Sequence, residues 1–303
     1  MKCVVVGFGS IGKRHAKVLN ELQCKVAVVS KREVDFPIKY TCLYDALINE
    51  KPDYIVIANE TYKHYDSLVE IAKYGFDGVV LVEKPLFHTT KPIPKNAFKQ
   101  VYVGYNLRFH PILQKVFKII RNEKVFYVQV YVGQYLPYWR PERDYRENYS
   151  AKKKEGGGVL LDLSHELDYL NWFFHDWKSI VAIGGKYSSL QIDSEDMYSL
   201  ILDMEKCPVA QVHFNYLDRI SRRELTIITE NYSIKADLVQ QTLNINQRLI
   251  KYDLDYDYTY YMQHKAIIDR DDKFLCTIEE GLKIIEMINC IEGAAKESKW
   301  IKR

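Results

Sequence analysis

The 303-residue chain has no long apolar run, no large excess of charge and no ordered spacing of cysteines. No stretch approaches the roughly 18 apolar residues that a membrane-spanning helix needs, so no membrane partner is expected. The formal net charge is +3, with charged residues at 27%. That balance gives no reason to expect a nucleic-acid partner. The one dense charge run, Lys152-Lys153-Lys154-Glu155, reads as a solvated loop. Cys3, Cys24, Cys42, Cys207, Cys276 and Cys290 include no CxxC pair, and no histidine stands near enough to complete a zinc set. No metal site and no disulfide are therefore expected. The chain opens on a strand rather than on a basic segment followed by an apolar one, so a reducing, cytoplasmic setting is expected.

Against these absences stands a clear rhythm. Cys3-Val4-Val5-Val6, Val26-Ala27-Val28-Val29, Tyr54-Ile55-Val56-Ile57 and Val79-Val80-Leu81-Val82 are continuous apolar runs. Helical patterns separate them, at Ile11 to Leu22, Leu43 to Asn49 and Tyr62 to Tyr74, the last closed by Gly75. Such alternation predicts a doubly wound parallel sheet covered on both faces. Pro92 and Pro94 forbid a long helix in residues 86–100, and Val101-Tyr102-Val103 reads as a further strand. Beyond Arg108 the pattern changes. A helix at about 110–121 and a strand at about 124–134 are followed by a Tyr/Arg-rich loop from Leu136 to Lys154. A strong helix after Gly158 leads into strands near 179–187, 196–204, 208–216, 223–229 and 231–237, and a helix at about 277–297 with Thr277 as its N-cap closes the chain. Consecutive strands joined by turns predict an antiparallel sheet. The expected architecture is α/β, with a Rossmann domain over 1–108 and an α+β domain with a large, mostly antiparallel open sheet over 109–303. The last helix is a candidate to pack back toward the first domain.

Gly7-Phe8-Gly9-Ser10-Ile11-Gly12 matches GxGxxG between an apolar strand and a helix, the context that makes this pattern informative. Gly7 permits the tight turn, Gly9 the approach of a pyrophosphate, and Gly12 close helix–strand packing. The helix start at Ser10 and Ile11 offers N–H groups to the anion. An NAD-specific domain places an acid at the end of the second strand. Here Ser30-Lys31-Arg32 stands there, and two cations suit the 2′-phosphate of NADP. Glu33 or Asp35 could instead take the acidic role, which keeps NAD as the alternative.

These residues, with Asn59 to His64 (NETYKH), Glu83-Lys84-Pro85, Gly104 to Pro111 (GYNLRFHP), Gly156 to Asp168 (GGGVLLDLSHELD) and the stretch from Thr277 to Ser298, resemble the Gfo/Idh/MocA oxidoreductases in family order over nearly the whole chain. The resemblance implies hydride transfer at carbinol or carbonyl carbons of sugars or nucleotide sugars. It also implies a homo-oligomer, a dimer or tetramer. Lys84 matches the family's catalytic lysine and His165 its acid/base. Asp168 matches the acid that follows His165. Asp162 stands three residues before His165, where many members carry an aspartate four before. Asn59, His64 and Glu83 are cofactor-lining candidates. Arg108, Trp139, Arg140 and Tyr145 are candidate contacts for an anionic sugar, the aromatics by stacking and the arginines by charge. The Ser164-His165-Glu166-Leu167-Asp168 variant resembles members of surface-glycan pathways. Two rivals remain: a non-catalytic NADP-binding regulator, and a reductase of a non-sugar substrate.

Overall fold

The computed structural model describes residues 1–94 and 98–303. The Pro-interrupted stretch expected to lack a long helix has no helix where it is described, and residues 95–97 of it lie outside the described residues. In chain order the first strands are β1 (Lys2–Val6), β2 (Lys25–Val29), β3 (Lys39–Tyr40), β4 (Tyr54–Ile57), β5 (Val79–Val82) and β6 (Gln100–Val103). Next come β7 (Val125–Gly133), β8 (Trp177–Gly185), β9 (Met197–Met204), β10 (Cys207–Asn215) and β11 (Arg222–Thr229). The last are β12 (Ser233–Asp237), β13 (Thr242–Ile245), β14 (Arg248–Lys251), β15 (Cys276–Thr277) and β16 (Ile301–Lys302). The helices are α1 (Ser10–Glu21), α2 (Leu43–Glu50), α3 (His64–Tyr74), α4 (Pro111–Ile120), α5 (Val159–Asp162), α6 (His165–Phe174), α7 (Tyr258–Asp269) and α8 (Ile278–Glu297).

Two compact units divide these elements. One is Met1–Phe109 with Asp255–Ile285, the other His110–Leu254 with Glu286–Arg303. The break at Phe109 falls one residue from the expected boundary. Asp255–Ile285, expected with the second domain, lies in the first unit.

The first unit holds a sheet in the order β15-β6-β5-β4-β1-β2-β3. All pairs are parallel except β15 with β6. Val4, Val5, Ile55, Val56 and Ile57 are fully buried, as unbroken apolar runs require when helices cover both faces. Each such side chain contributes roughly 1.5–3 kcal/mol. The strand ends are in register: Val6 pairs with Val29 and Ile57, and Val82 with Ile57 and Val103. Gly7, Ser30, Ala58, Glu83 and Gly104 therefore follow one another along a single carboxyl edge. The strand order reverses between β1 and β4, the place where open α/β sheets bind ligands. Ala266 and Ile267 of α7 complete the core with Cys3, Val5, Val28 and Val56. The sequence reading missed α7 because its buried face is half polar, with Thr259, Gln263 and His264 beside Ala266 and Ile267.

The second unit holds a nine-stranded sheet in the order β14-β13-β12-β11-β7-β10-β9-β8-β16. Only β7 and β10 run parallel. Val128, Val130 and Val132 of β7 are buried while Gln129 between them is exposed, the alternation of a sheet packed on one face. The β13–β14 hairpin, turned at Asn246 with φ +54°, was not anticipated. The single helix expected after Gly158 is instead two, α5 and α6, interrupted at Leu163-Ser164. Asp162 and His165 thus stand on either side of that break.

Candidate active site

In the first unit the glycine loop is held by its own shape. Gly7 has φ +93°, and a Cβ there would lie 2.5 Å from the backbone of Asn59, so only glycine fits. Its N–H donates to Val29 O at 2.9 Å, tying the loop to the end of β2. A Cβ on Gly12 would lie 1.9 Å from Gly7 O. Gly9, by contrast, faces open space, with nothing within 4 Å of its Cβ position. As N-cap of α1 it brings no capping side chain, and no acid stands in the first turn. The N–H groups at Ser10 and Ile11, with the positive end of the helix dipole, are left for an anion. Asn59 donates from Nδ2 to Ser67 Oγ at 2.8 Å. Its buried Oδ1 has no donor among the described residues. An open glycine, a bare helix start and an orphan acceptor along one edge fit a dinucleotide.

At the end of β2, Ser30 Oγ accepts from Arg32 N at 3.1 Å and donates to Arg32 O at 3.2 Å. The turn leaves Lys31 and Arg32 exposed, and Glu33 and Asp35 are exposed as well.

At the end of β5, Lys84 is partly exposed and precedes Pro85 through a cis peptide bond. Glu83, expected to line the cofactor, points the other way. Its carboxylate is buried, with Oε1 at 2.8 Å from His15 Nε2 and Oε2 accepting from Lys84 N at 3.1 Å. His64 is also turned inward. Its Nδ1 faces Pro85 O at 3.1 Å and Leu86 O at 3.2 Å, and its Nε2 faces Asn59 O at 3.1 Å. Burial holds its pKa below the usual histidine value. His64 braces the loop after β4 against the Lys84-Pro85 segment, and its ring nitrogens are committed there. Arg108, expected at the substrate edge, is 2% exposed and paired with Glu280 at 2.9 Å. Its charge is used inside the unit, which corrects the expected substrate contact.

In the second unit His165 opens α6 and is 8% exposed. Asp162 Oδ2 accepts from Tyr216 Oη at 2.6 Å. Burial, and then the Asp162 charge, raises the pKa of Tyr216 well above that of free tyrosine, so its hydroxyl stays a donor. Trp139 meets the Tyr216 ring edge-on at 5.3 Å, and Arg140 lies 6.0 Å from the ring of Tyr149, whose pKa burial, and then the Asp162 charge, raises well above that of free tyrosine. The structure thus gathers Trp139, Arg140 and Asp162 around two tyrosines that sequence reasoning missed. Twenty-four tyrosines give no sign of which two matter. Tyr145 Oη accepts from Gln191 N at 3.2 Å. Asp168, expected to touch substrate, is 0% exposed within α6. Glu166, which was not singled out, is equally buried and pairs with Arg223 at 2.9 Å. No group of metal-ligating side chains exists among the described residues.

Comparison with known proteins identifies the family and the fold. Residues 1–95 match the family model described as "Oxidoreductase family, NAD-binding Rossmann fold", and residues 113–235 match "GFO/IDH/MocA C-terminal domain". No curated protein matches the chain. Among solved structures, GenD2 from gentamicin A biosynthesis, in complex with NAD, is 19% identical with TM-score 0.84, covering 100% of this chain and 96% of that one. Levoglucosan dehydrogenase in complex with NADH is 14% identical with TM-score 0.85, covering 100% and 98%. The WlbA dehydrogenase from Bordetella pertussis, in complex with NADH and UDP-GlcNAcA, is 19% identical with TM-score 0.79, covering 100% and 98%. Identities this low speak for the fold alone. With both of its domains matched in order, the chain belongs to the GFO/IDH/MocA family of oxidoreductases, and its N-terminal unit is an NAD-binding Rossmann fold.

Proposed function

We propose that this oxidoreductase prefers NADP and acts on a carbinol or carbonyl carbon of an anionic sugar or nucleotide sugar, in the building of a surface glycan. The nicotinamide supplies or takes the hydride when bound. The remaining work falls to the chain's own side chains. Lys84 orients the reacting oxygen and favours its ionised form by charge. His165 takes the hydroxyl proton in oxidation and returns it in reduction, a task suited to imidazole at neutral pH. Asp162, anchored by Tyr216, orients substrate or His165. Asn59 offers its orphan acceptor to the cofactor. Trp139 and Arg140 offer a stacking face and a cation to a charged sugar.

The observation that carries the reading is the single carboxyl edge of the first sheet. It aligns the open Gly9, the exposed Lys31-Arg32 turn, Asn59 and Lys84. GenD2, levoglucosan dehydrogenase and WlbA, solved with NAD or NADH and in one case with UDP-GlcNAcA, support the reaction class and the substrate class. They do not share the cofactor preference, which rests on Lys31 and Arg32 in place of an acid. Thermal shift tests it. NADPH should raise the melting temperature more than NADH at equal concentration, and Arg32→Asp should erase or reverse that order. Equal shifts in the wild type would return the assignment to NAD. As a family member the enzyme is expected to be a dimer or tetramer, which light scattering of the pure protein would read.

A further inference from the structure

Four side chains of the first unit run in single file from the start of β4 to the strand end that carries Lys84. Tyr54 Oη lies 2.9 Å from His264 Nδ1, and His264 Nε2 lies 2.7 Å from His15 Nδ1. His15 Nε2 lies 2.8 Å from Glu83 Oε1, and Glu83 Oε2 accepts from Lys84 N at 3.1 Å. Tyr54, His15 and His264 are all 0% exposed. They come from β4, α1 and α7, so the file joins elements far apart in the chain. Its members are the final histidine of GFGSIGKRH, the glutamate of Glu83-Lys84-Pro85, and two residues that belong to no motif.

The direction of donation follows from counting hydrogens. Each of the three links between side chains holds one hydrogen. The Tyr54 hydroxyl makes no other hydrogen bond among the described residues. Were it to accept from His264, its own hydrogen would be stranded in the core, which a buried donor avoids. Tyr54 therefore donates to Nδ1. His264, which burial holds well below the usual histidine pKa, then carries its hydrogen on Nε2 and donates to His15. His15 in turn donates from Nε2 to the carboxylate of Glu83, which can only accept. The opposite direction fails at the tyrosine.

We propose that Tyr54, His264 and His15 form a one-way chain of donated hydrogen bonds that ends on Glu83 and positions Lys84. All three are positioning residues, because they act through Glu83. The consequence for turnover rests on the catalytic reading of Lys84. The direction of the chain does not.

Long-range ¹H–¹⁵N NMR of the full-length labelled protein reads the tautomers. Both His15 and His264 should carry hydrogen on Nε2 and leave Nδ1 bare. A hydrogen on Nδ1 of either would overturn the chain. Three substitutions test its purpose through amide exchange at Lys84. His264→Gln places an amide nitrogen where Nε2 stood and keeps the donor to His15. His264→Asn keeps only an acceptor for Tyr54, and His264→Leu keeps neither. Exchange at Lys84 should stay within ~3-fold of wild type in the Gln variant and rise ~10-fold or more in the other two, with Gly9 unchanged. The same rise in all three, or in none, would contradict the positioning role. Turnover that survived Lys84→Ala would remove the catalytic role of Lys84 while leaving the tautomer result standing.

Discussion

A methyl group on Gly12 would lie 1.9 Å from the Gly7 carbonyl oxygen. No backbone atom there can give way by that much without moving the loop. Gly12→Ala is expected to cost about 2–3 kcal/mol in chemical denaturation and to weaken dinucleotide binding. Unchanged stability would mean that the loop relaxes. Such residues were legible in the sequence, because GxGxxG fixes backbone geometry, and geometry is what the glycines are for. Charge partners were not legible. Glu83, Arg108 and Asp168 are the chemistry-bearing types that a site needs, yet each is buried, and Glu83 and Arg108 are spent on His15 and Glu280. A sequence gives the residue type but not the direction in which the side chain turns. Tyr216 went unnoticed for the same reason. Its hydroxyl anchors Asp162, so Tyr216→Phe is expected to lower kcat about tenfold with little change in KM, the value of one hydrogen bond to a charged group. A KM effect alone would assign Asp162 to substrate binding.

Helix ends carry the next set of expectations. Thr277 and Glu280 form a reciprocal capping box at the start of α8: Glu280 N donates to Thr277 Oγ1 at 3.3 Å, and Thr277 N to Glu280 Oε2 at 2.9 Å. Thr277 was recognisable as an N-cap from its place before an acidic first turn. Glu280 also pairs with Arg108, which nothing in the local pattern announced. Glu280→Ala should therefore cost about 2–3 kcal/mol, more than the roughly 1 kcal/mol of a lost cap, because a buried cation also loses a charged partner. Glu280→Gln should cost less. At the start of α4, His110 Nδ1 accepts from Ile112 N at 3.2 Å, which needs a bare nitrogen. Burial, and then the nearby Arg223, pulls His110 down to about 4. The unfolded chain, with a histidine near 6.5, binds the proton first as pH falls. Stability supplied by neutral His110 is therefore whole above pH ~6.5 and is lost progressively down to pH ~4. Between pH ~7 and ~5 the wild type should lose up to about 2 kcal/mol more than His110→Asn, which keeps the cap but does not titrate. Parallel pH profiles would contradict this.

Over the whole molecule, the parallel sheet of the first unit and the largely antiparallel sheet of the second were readable because each has its own burial period. Val4 to Val6 show continuous burial, and β7 alternates. The return of Asp255–Ile285 to the first unit was not readable. The buried face of α7 carries Gln263 and His264 beside Ala266, and a half-polar face hides the period that marks a helix. That same polarity is what the chain from Tyr54 to Glu83 requires, so the element hardest to find from sequence supports the strand end that carries Lys84. The most direct test of the function is a survey of uncharged sugars, sugar acids and nucleotide sugars with the pure enzyme, following the absorbance of reduced nicotinamide. Turnover is expected with an anionic sugar or nucleotide sugar, faster with NADP than with NAD, and at least ~100-fold slower in both Lys84→Ala and His165→Asn. Tight NADPH binding with no turnover on any sugar, or turnover indifferent to both substitutions, would contradict it.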